Sequence, residues 1–136
     1  MKRFVCLCVL LALALAGCGA KRESPPPQSA AYTQIRQDDA KEMMAQDDGH
    51  IVVDVRRQDE FDAGHIPGAV CIPNESIADE PPEALPDMQQ VILIYCRSGN
   101  RSKQAAQKLA DMGYANVYEF GGILDWTGEI EQGGGA

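Results

Sequence analysis

Cys96 stands where a cysteine could be activated as a nucleophile. It follows the apolar run 91–95, and after it come Arg97-Ser98-Gly99-Asn100-Arg101-Ser102 and a stretch, 103–110, that is typical of a helix. The reactive form of cysteine is the thiolate, and nearby arginines and a helix N-terminus both lower a cysteine pKa. Backbone N–H groups at the start of a helix also bind anions. The segment therefore predicts a nucleophile beside a site for a negatively charged substrate.

The elements around Cys96 alternate between strands and helices. Strands are predicted over 32–35, 51–55, 69–72, 91–95 and 117–120, and helices over 38–46, 58–63, 102–112 and 123–130, with Gly121-Gly122 as a turn. This alternation predicts an α/β fold, a small doubly wound parallel sheet with helices on both faces. Ligands bind such sheets at the carboxyl ends of the strands, and Cys96 is at one of these ends.

The two ends of the chain are expected to lie outside the folded domain. Lys2 and Arg3 precede the uncharged apolar run 4–16, which is shorter than the ~20 residues of a transmembrane helix and has the pattern of a secretory signal. We expect a signal peptide over 1–17, a Pro-rich tether over 18–31, a domain over 32–130 and a disordered Gly-rich tail over 131–136.

The signal ends in Leu15-Ala16-Gly17-Cys18, which resembles the lipobox of bacterial lipoproteins, with Cys18 as the lipidated residue. An ordinary signal peptide with an incidental cysteine is the alternative. A lipoprotein would lie in the bacterial cell envelope, and Gly19 in place of Asp favours the periplasmic face of the outer membrane in a Gram-negative cell.

The charge of the chain excludes one class of partner. There are 12 Lys+Arg and 20 Asp+Glu, a net charge of −8 that becomes −10 when residues 1–17 are removed. An acidic protein of this kind is not expected to bind nucleic acid. Its contact with a membrane is expected to be the lipid anchor. Arg97 and Arg101 are a local exception to the acidic character.

Two of the five cysteines remain in the predicted domain. Cys6 and Cys8 leave with the signal peptide and Cys18 takes the lipid, which leaves Cys71 and Cys96. An oxidising compartment permits a disulfide between these two. Cys71 lies in an apolar run and is expected to be a small buried hydrophobe. No spacing of Cys and His predicts a metal site.

Three segments together resemble the rhodanese family of sulfurtransferases over about residues 32–130. They are Asp54-Val55-Arg56 with Glu60-Phe61 and the motif at 64–69, then the loop 96–102, and finally Gly121-Gly122 with Trp126. The resemblance implies that Cys96 takes the outer sulfur of a small anionic donor such as thiosulfate, becomes a persulfide and passes that sulfur to a thiol or cyanide. No metal or organic cofactor is implied, and a protein could be the persulfide partner.

The resemblance also implies roles for the other site residues. The backbone from Arg97 to Ser102 would bind the anion, and the residues of this group are Arg97, Ser98, Gly99, Asn100, Arg101 and Ser102. Asp54, Arg56 and Glu60 would support the loop. His65 and Trp126 are expected to be structural, the first as a hydrogen-bonding residue of its loop and the second as a core aromatic.

Three functions remain open at the level of the sequence. Cys96 to Arg101 is six residues, the length found in sulfurtransferases, whereas the related phosphatases have a loop one residue longer. A catalytic sulfurtransferase is the main hypothesis. A persulfide carrier or binding module without turnover is the first alternative, and a thiol redox or oxyanion-handling protein is the second.

We predict that the mature protein is anchored through Cys18. Two anchoring chains are generally needed for stable attachment, since each buried CH₂ contributes ~0.8 kcal/mol and a single myristoyl chain is marginal. Cell fractionation should find the wild type with the membranes and Cys18→Ser in the soluble fraction. Equal solubility of the two proteins would contradict the lipoprotein interpretation.

Overall fold

The structure, a computed structural model, describes residues 31–134. The predicted signal peptide, Cys18 and all but the last residue of the predicted tether lie outside the described residues. The described elements are β1 (Thr33–Gln34), α1 (Gln37–Met44), β2 (Ile51–Asp54), α2 (Gln58–Ala63), β3 (Val70–Cys71), β4 (Val91–Cys96), α3 (Asn100–Met112) and β5 (Asn116–Gly122). Two 3-10 turns cover Asn74–Ser76 and Ile123–Asp125.

The strands form one parallel sheet in the order β1-β5-β4-β2-β3. β4 is the central strand, and every residue from Ile92 to Cys96 is buried. A parallel strand that is covered on both faces is apolar at successive positions, because neither side meets water. The unbroken apolar run at 91–95 is therefore the sequence of this central strand.

Helices cover both faces of the sheet, which confirms the predicted fold class. On one face, Ala105 and Leu109 of α3 pack with Ile92 and Ile94 of β4. On the other face, Ala40 of α1 and Phe61 of α2 belong to a second core with Leu93 and Tyr95. Alternate residues of β4 thus enter different cores, as the two-residue period of a strand requires.

The topology creates a switch point beside Cys96. From β2 the chain moves outward to the edge strand β3, and from β4 it moves to β5 on the other side. The loops that leave β2 and β4 therefore diverge, and a crevice forms between neighbouring carboxyl ends.

No helix between residues 31 and 134 is long and apolar enough to cross a bilayer.

Two of the predicted elements are wrong, and several boundaries move by one or two residues. Gly121 and Gly122 belong to β5 instead of forming a turn, and the helix predicted over 123–130 is only the 3-10 turn Ile123–Asp125. Trp126 is extended, with φ −71° and ψ 127°, and its ring packs on Phe120. So short a segment gains little from helix formation. Helix α3 begins at Asn100, two residues before the predicted start.

The folded chain also continues past residue 130, the predicted end of the domain. Glu131 and His65 exchange two backbone hydrogen bonds of 2.9 Å, and the Gly133 N–H donates to the Asp62 carbonyl. The His65 ring is buried, stacks on Phe61 at 3.7 Å and lies 3.1 Å from Glu131 Oε1. His65 thus has the structural role that was expected, and the predicted disordered tail does not begin at 131.

Candidate active site

Cys96 lies where the chain leaves β4 and curls into the start of α3. The residue is buried, with 1% of its surface exposed. Gly99, immediately before α3, has φ 92°, a conformation that glycine adopts at little cost. Its backbone N–H donates to Cys96 Sγ over 3.1 Å. The curl therefore directs main-chain donors at the sulfur.

Hydrogen-bond donors hold the pKa of Cys96 below its ordinary value. Burial is the largest single influence and acts in the opposite direction, since it raises the pKa of the thiol. The Ser102 hydroxyl and the backbone N–H groups of Ser102, Ser98 and Gly99 hydrogen-bond to the sulfur, favour its thiolate and together outweigh burial. These donors, more than the two arginines that the sequence suggested, lower the pKa.

Arg101 and Glu60 form an ion pair that ties the loop to α2. The guanidinium donates two hydrogen bonds to the carboxylate, of 2.7 and 2.9 Å, a bidentate arrangement that is strong and directional. These hydrogen bonds hold the pKa of Glu60 at about 2. Glu60, which was predicted to support the loop, therefore contacts Arg101 directly.

Arg97, Ser98 and Asn100 have exposed side chains.

Asp54 and Arg56 act one strand away from the loop. Arg56 donates to Asp54 at 2.6 Å and to the Gly64 carbonyl at 2.7 Å, and both side chains are buried. Within residues 31–134, no hydrogen bond or ion pair joins either side chain to residues 97–102. The predicted support of the loop by Asp54 and Arg56 is therefore not a direct contact, and it stays a prediction.

Glu119 is a residue of this site that sequence reasoning missed. It is 2% exposed, and its Oε1 accepts a 2.6 Å hydrogen bond from the Ser102 hydroxyl and a 2.9 Å bond from the Gly121 N–H. The strand pattern contained a usable signal. Residues 117 and 119 face the same side of β5, and Val117 belongs to the core, so a carboxylate at 119 had to be buried.

A polar groove of about 600 Å³ opens beside the loop. Ser98 and Gly99 form one wall, and Glu119 and Gly121 lie on the strand side. Residues from the β1–α1 junction form the opposite wall. The groove thus lies against the outer side of the loop that wraps Cys96, and Cys96 itself does not line it.

The family model for the rhodanese-like domain matches residues 36–129. The chain belongs to the rhodanese-like domain family. The parallel five-stranded sheet with helices is consistent with this assignment.

Curated relatives of this rhodanese-like chain are named as enzymes and as a carrier. It is 34% identical over 73 residues to the thiosulfate sulfurtransferase PspE of Escherichia coli, covering 54% of this chain and 70% of that protein. It is 40% identical over 91 residues to the thiosulfate sulfurtransferase GlpE of Pseudomonas entomophila, covering 63% and 82%. A third relative is the Bacillus subtilis protein YrkF, provisionally named a sulfur carrier, at 30% identity over 110 residues, 80% of this chain and 58% of that protein. The chain spans only about a fifth of two yeast proteins named adenylyltransferase and sulfurtransferase.

Solved structures show the same fold. A structure titled rhodanese with anions from E. coli matches with a TM-score of 0.57 and 31% identity, over 62% of this chain and 99% of that one. A rhodanese-like domain protein from Staphylococcus aureus matches with a TM-score of 0.64 and 29% identity, over 74% and 97%.

Cys71 lies apart from the active loop of the rhodanese-like domain. It is half-buried and belongs to the core on the face opposite Cys96. Asp54 pairs with Cys71 on one side and with Tyr95 on the other, so β2 lies between the two cysteine-bearing strands. A disulfide needs Cα atoms within about 7 Å and converging side chains, and two strand spacings already exceed that. Burial, with a smaller contribution from Asp54, raises the pKa of Cys71 to about 11.

We predict that Gly122→Ala disrupts the active loop. A Cβ at this position would meet the Arg97 carbonyl and lie 2.5 Å from Ser98 Cα, so the loop must move away. Overpacking of this kind typically costs about 1–3 kcal/mol. Urea unfolding should show that loss, and iodoacetamide should alkylate Cys96 at a different rate. Gly134→Ala is the control, because its nearest neighbour would be 4.0 Å away. If Gly122→Ala has the stability of the wild type and its Cys96 is alkylated at the wild-type rate, the close approach of Gly122 to Arg97 and Ser98 is refuted.

We also predict a pH-dependent contribution from the Glu60–Arg101 pair. The pKa of Glu60 is lowered to about 2 from 4.5, so the pair stabilises the fold fully above pH 4.5 and loses this effect as pH falls towards 2. Urea unfolding of wild type and Glu60→Gln should differ by about 1 kcal/mol at neutral pH, and the difference should shrink at low pH. Exposed Glu83→Gln is the charge-matched control. A difference that stays constant with pH would contradict the prediction.

Proposed function

We propose that this protein is a sulfurtransferase that carries sulfane sulfur as a persulfide on Cys96. The single observation that supports this most is the buried Cys96 sulfur inside a curl of N–H donors, with a lowered pKa. Such surroundings favour the thiolate more than water does, and the thiolate is the attacking form of cysteine. The relatives named thiosulfate sulfurtransferase support the same class of reaction.

The proposed reaction has two displacements at sulfur. The Cys96 thiolate attacks the outer sulfur of a donor such as thiosulfate, a new S–S bond forms, and the old S–S bond breaks so that sulfite leaves with its electron pair. An acceptor such as cyanide or a thiolate then attacks the outer sulfur of the persulfide. The bond to Cys96 breaks, and the thiolate is restored with its electron pair.

The loop residues have complementary roles in this proposal. Main-chain N–H groups of Ser98, Gly99 and Ser102 stabilise negative charge on the sulfur, and preorganised donors of this kind cost no reorganisation during reaction. Arg97 is exposed at the loop and supplies positive charge to an approaching anion. Arg101 is held by Glu60 and fixes the loop.

The carrier hypothesis is the second candidate, and YrkF, provisionally named a sulfur carrier, favours it. A carrier would accept one sulfur from a partner protein and hold it without rapid turnover. The separation of Cys71 from Cys96 argues against a redox mechanism that forms a disulfide between these two cysteines. Localisation is a further proposal: the Leu15-Ala16-Gly17-Cys18 boundary supports a lipid-anchored protein of the bacterial envelope.

We predict that thiocyanate formation from thiosulfate and cyanide depends on Cys96 and not on Cys71. The purified full-length wild type and Cys71→Ala should both be active, because Cys71 lies on the other face of the sheet with a raised pKa. Cys96→Ala should form no thiocyanate above the uncatalysed rate.

Each alternative gives another result in the same assay. A carrier would gain one sulfur but turn over negligibly with cyanide. A mechanism through a Cys71–Cys96 disulfide would leave both variants inactive. Activity that survives in Cys96→Ala would overturn the proposed function.

A further inference from the structure

The end of strand β5 lies directly against the loop that follows Cys96. Gly122, the last residue of β5, is in register with Cys96 on β4. A Cβ at Gly122 would lie 2.5 Å from Ser98 Cα, so the backbones of the two segments are in contact. Beyond Gly122, the Leu124 N–H donates to the Arg97 carbonyl over 3.2 Å. A displacement of this end of β5 therefore displaces the loop.

The hydrogen bond from Leu124 also sets the direction of a donor in the loop. The Arg97 carbonyl and the Ser98 N–H belong to one peptide group, and no peptide bond between residues 31 and 134 is cis. In a planar trans peptide the C=O and the N–H point in opposite directions. Because the carbonyl is directed at Leu124, the Ser98 N–H points away from the end of β5. The position of β5 thus controls the orientation of a main-chain donor of the loop.

Strand β5 is longer than its neighbour β1 at the edge of the sheet. β1 ends at Gln34, which is in register with Glu119, whereas β5 continues to Gly122. β1 therefore offers residues 120–122 no strand partner. The side-chain amide of Gln37 instead donates to the Gly122 carbonyl over 2.8 Å. Gly122 is buried, and a buried carbonyl that loses its donor is costly.

We propose that Gln37 is a positioning residue for the loop that carries Cys96. Its amide group holds the Gly122 carbonyl, and the end of β5 in turn holds the backbone of the loop. The loop then keeps its main-chain donors at the sulfur, among them the Gly99 N–H at 3.1 Å. The inference rests on the proposed function, because a fixed loop serves sulfur transfer only if Cys96 carries the sulfur.

The start of helix α1 is held by contacts that do not involve the Gln37 side chain. The Arg36 N–H donates to the Asp39 carboxylate over 3.2 Å, and the Arg36 guanidinium donates to it over 2.9 Å. Asp38 and Asp39 also place negative charge in the first turn, where the helix macrodipole favours it. Met and Ala are both strong helix formers. Replacing Gln37 by either residue therefore leaves α1 in place and removes the donor to Gly122.

The pH dependence of Cys96 alkylation by iodoacetamide tests the proposal on the purified full-length protein, with the modified peptide identified by mass. Gln37→Met removes the donor and keeps the length of the side chain. We expect the pH midpoint of alkylation to rise, because the loop donors are held less firmly at the thiolate. The rate constant at neutral pH should fall roughly 2- to 10-fold, the range for the loss of one hydrogen bond.

Gln46→Met is the matched control. The Gln46 amide also donates to a main-chain carbonyl, that of Glu42, over 3.3 Å, but at an exposed position. This variant should keep the wild-type alkylation profile. In the wild type, the side-chain amide protons of Gln37 should exchange with deuterated water more slowly than those of Gln46.

Folded Gln37→Met with the wild-type alkylation profile would overturn the proposal, even if urea unfolds it more easily, because Gln37 would then be only structural. An equal change in Gln46→Met would overturn it as well. If Gln37→Met does not fold, Gln37→Ala is compared with Gln46→Ala in the same way. Equal amide exchange at Gln37 and Gln46 in the wild type would contradict the hydrogen bond to Gly122 and with it the proposal.

These measurements use no sulfur donor, so their outcome is separate from the test of the proposed function. A wild-type profile in Gln37→Met would leave sulfur transfer by Cys96 standing. A failed thiocyanate assay would leave Gln37 as the residue that positions the loop.

Discussion

The candidate site depends on the hydrogen-bond donors that surround the buried Cys96 sulfur and lower its pKa. Burial alone would raise the pKa of Cys96, so the fold must supply donors at the sulfur in numbers sufficient to reverse that effect. The loop supplies main-chain N–H groups for this purpose, and holding these donors in place costs no side-chain conformational entropy. The left-handed backbone conformation of Gly99 permits the curl. Gly122 has no Cβ, which leaves room for the loop beside β5.

The sheet topology places this loop where a ligand can reach it. Cys96 is the last residue of the central strand β4 and lies at the crevice where the connections diverge. Helix α3 packs on the face of the sheet that the Cys96 side chain enters. Side-chain contacts of two arginines hold the neighbouring segments. Glu60 of α2 holds Arg101, and Arg56 holds both Asp54 and the Gly64 carbonyl. The loop after Cys96 is thus tied to α2 by the Glu60–Arg101 pair, and α3 packs on the face that Cys96 enters.

Local sequence patterns predicted most of the strands and helices. The features that were not predicted depend on contacts between residues far apart in the sequence. Apolar runs and helix-forming stretches gave the parallel sheet and the position of Cys96. The composition of the segment after Gly122 predicts a helix, but the packing of Trp126 on Phe120 is a tertiary effect that composition does not contain. Glu119 was missed for a related reason: its importance comes from Ser102, a residue 17 positions away. The role of Glu60 came from a family resemblance and not from spacing.

Intact mass spectrometry of the purified protein before and after thiosulfate treatment tests the persulfide directly. The wild type should gain the mass of one sulfur atom, reductant should remove it, and Cys96→Ala should gain nothing. This result would be the same for a catalyst and for a carrier, since both hold sulfur on Cys96. A wild type that gains no sulfur, or a Cys96→Ala variant that gains as much as the wild type, would contradict the assignment of Cys96 as the sulfur-carrying residue.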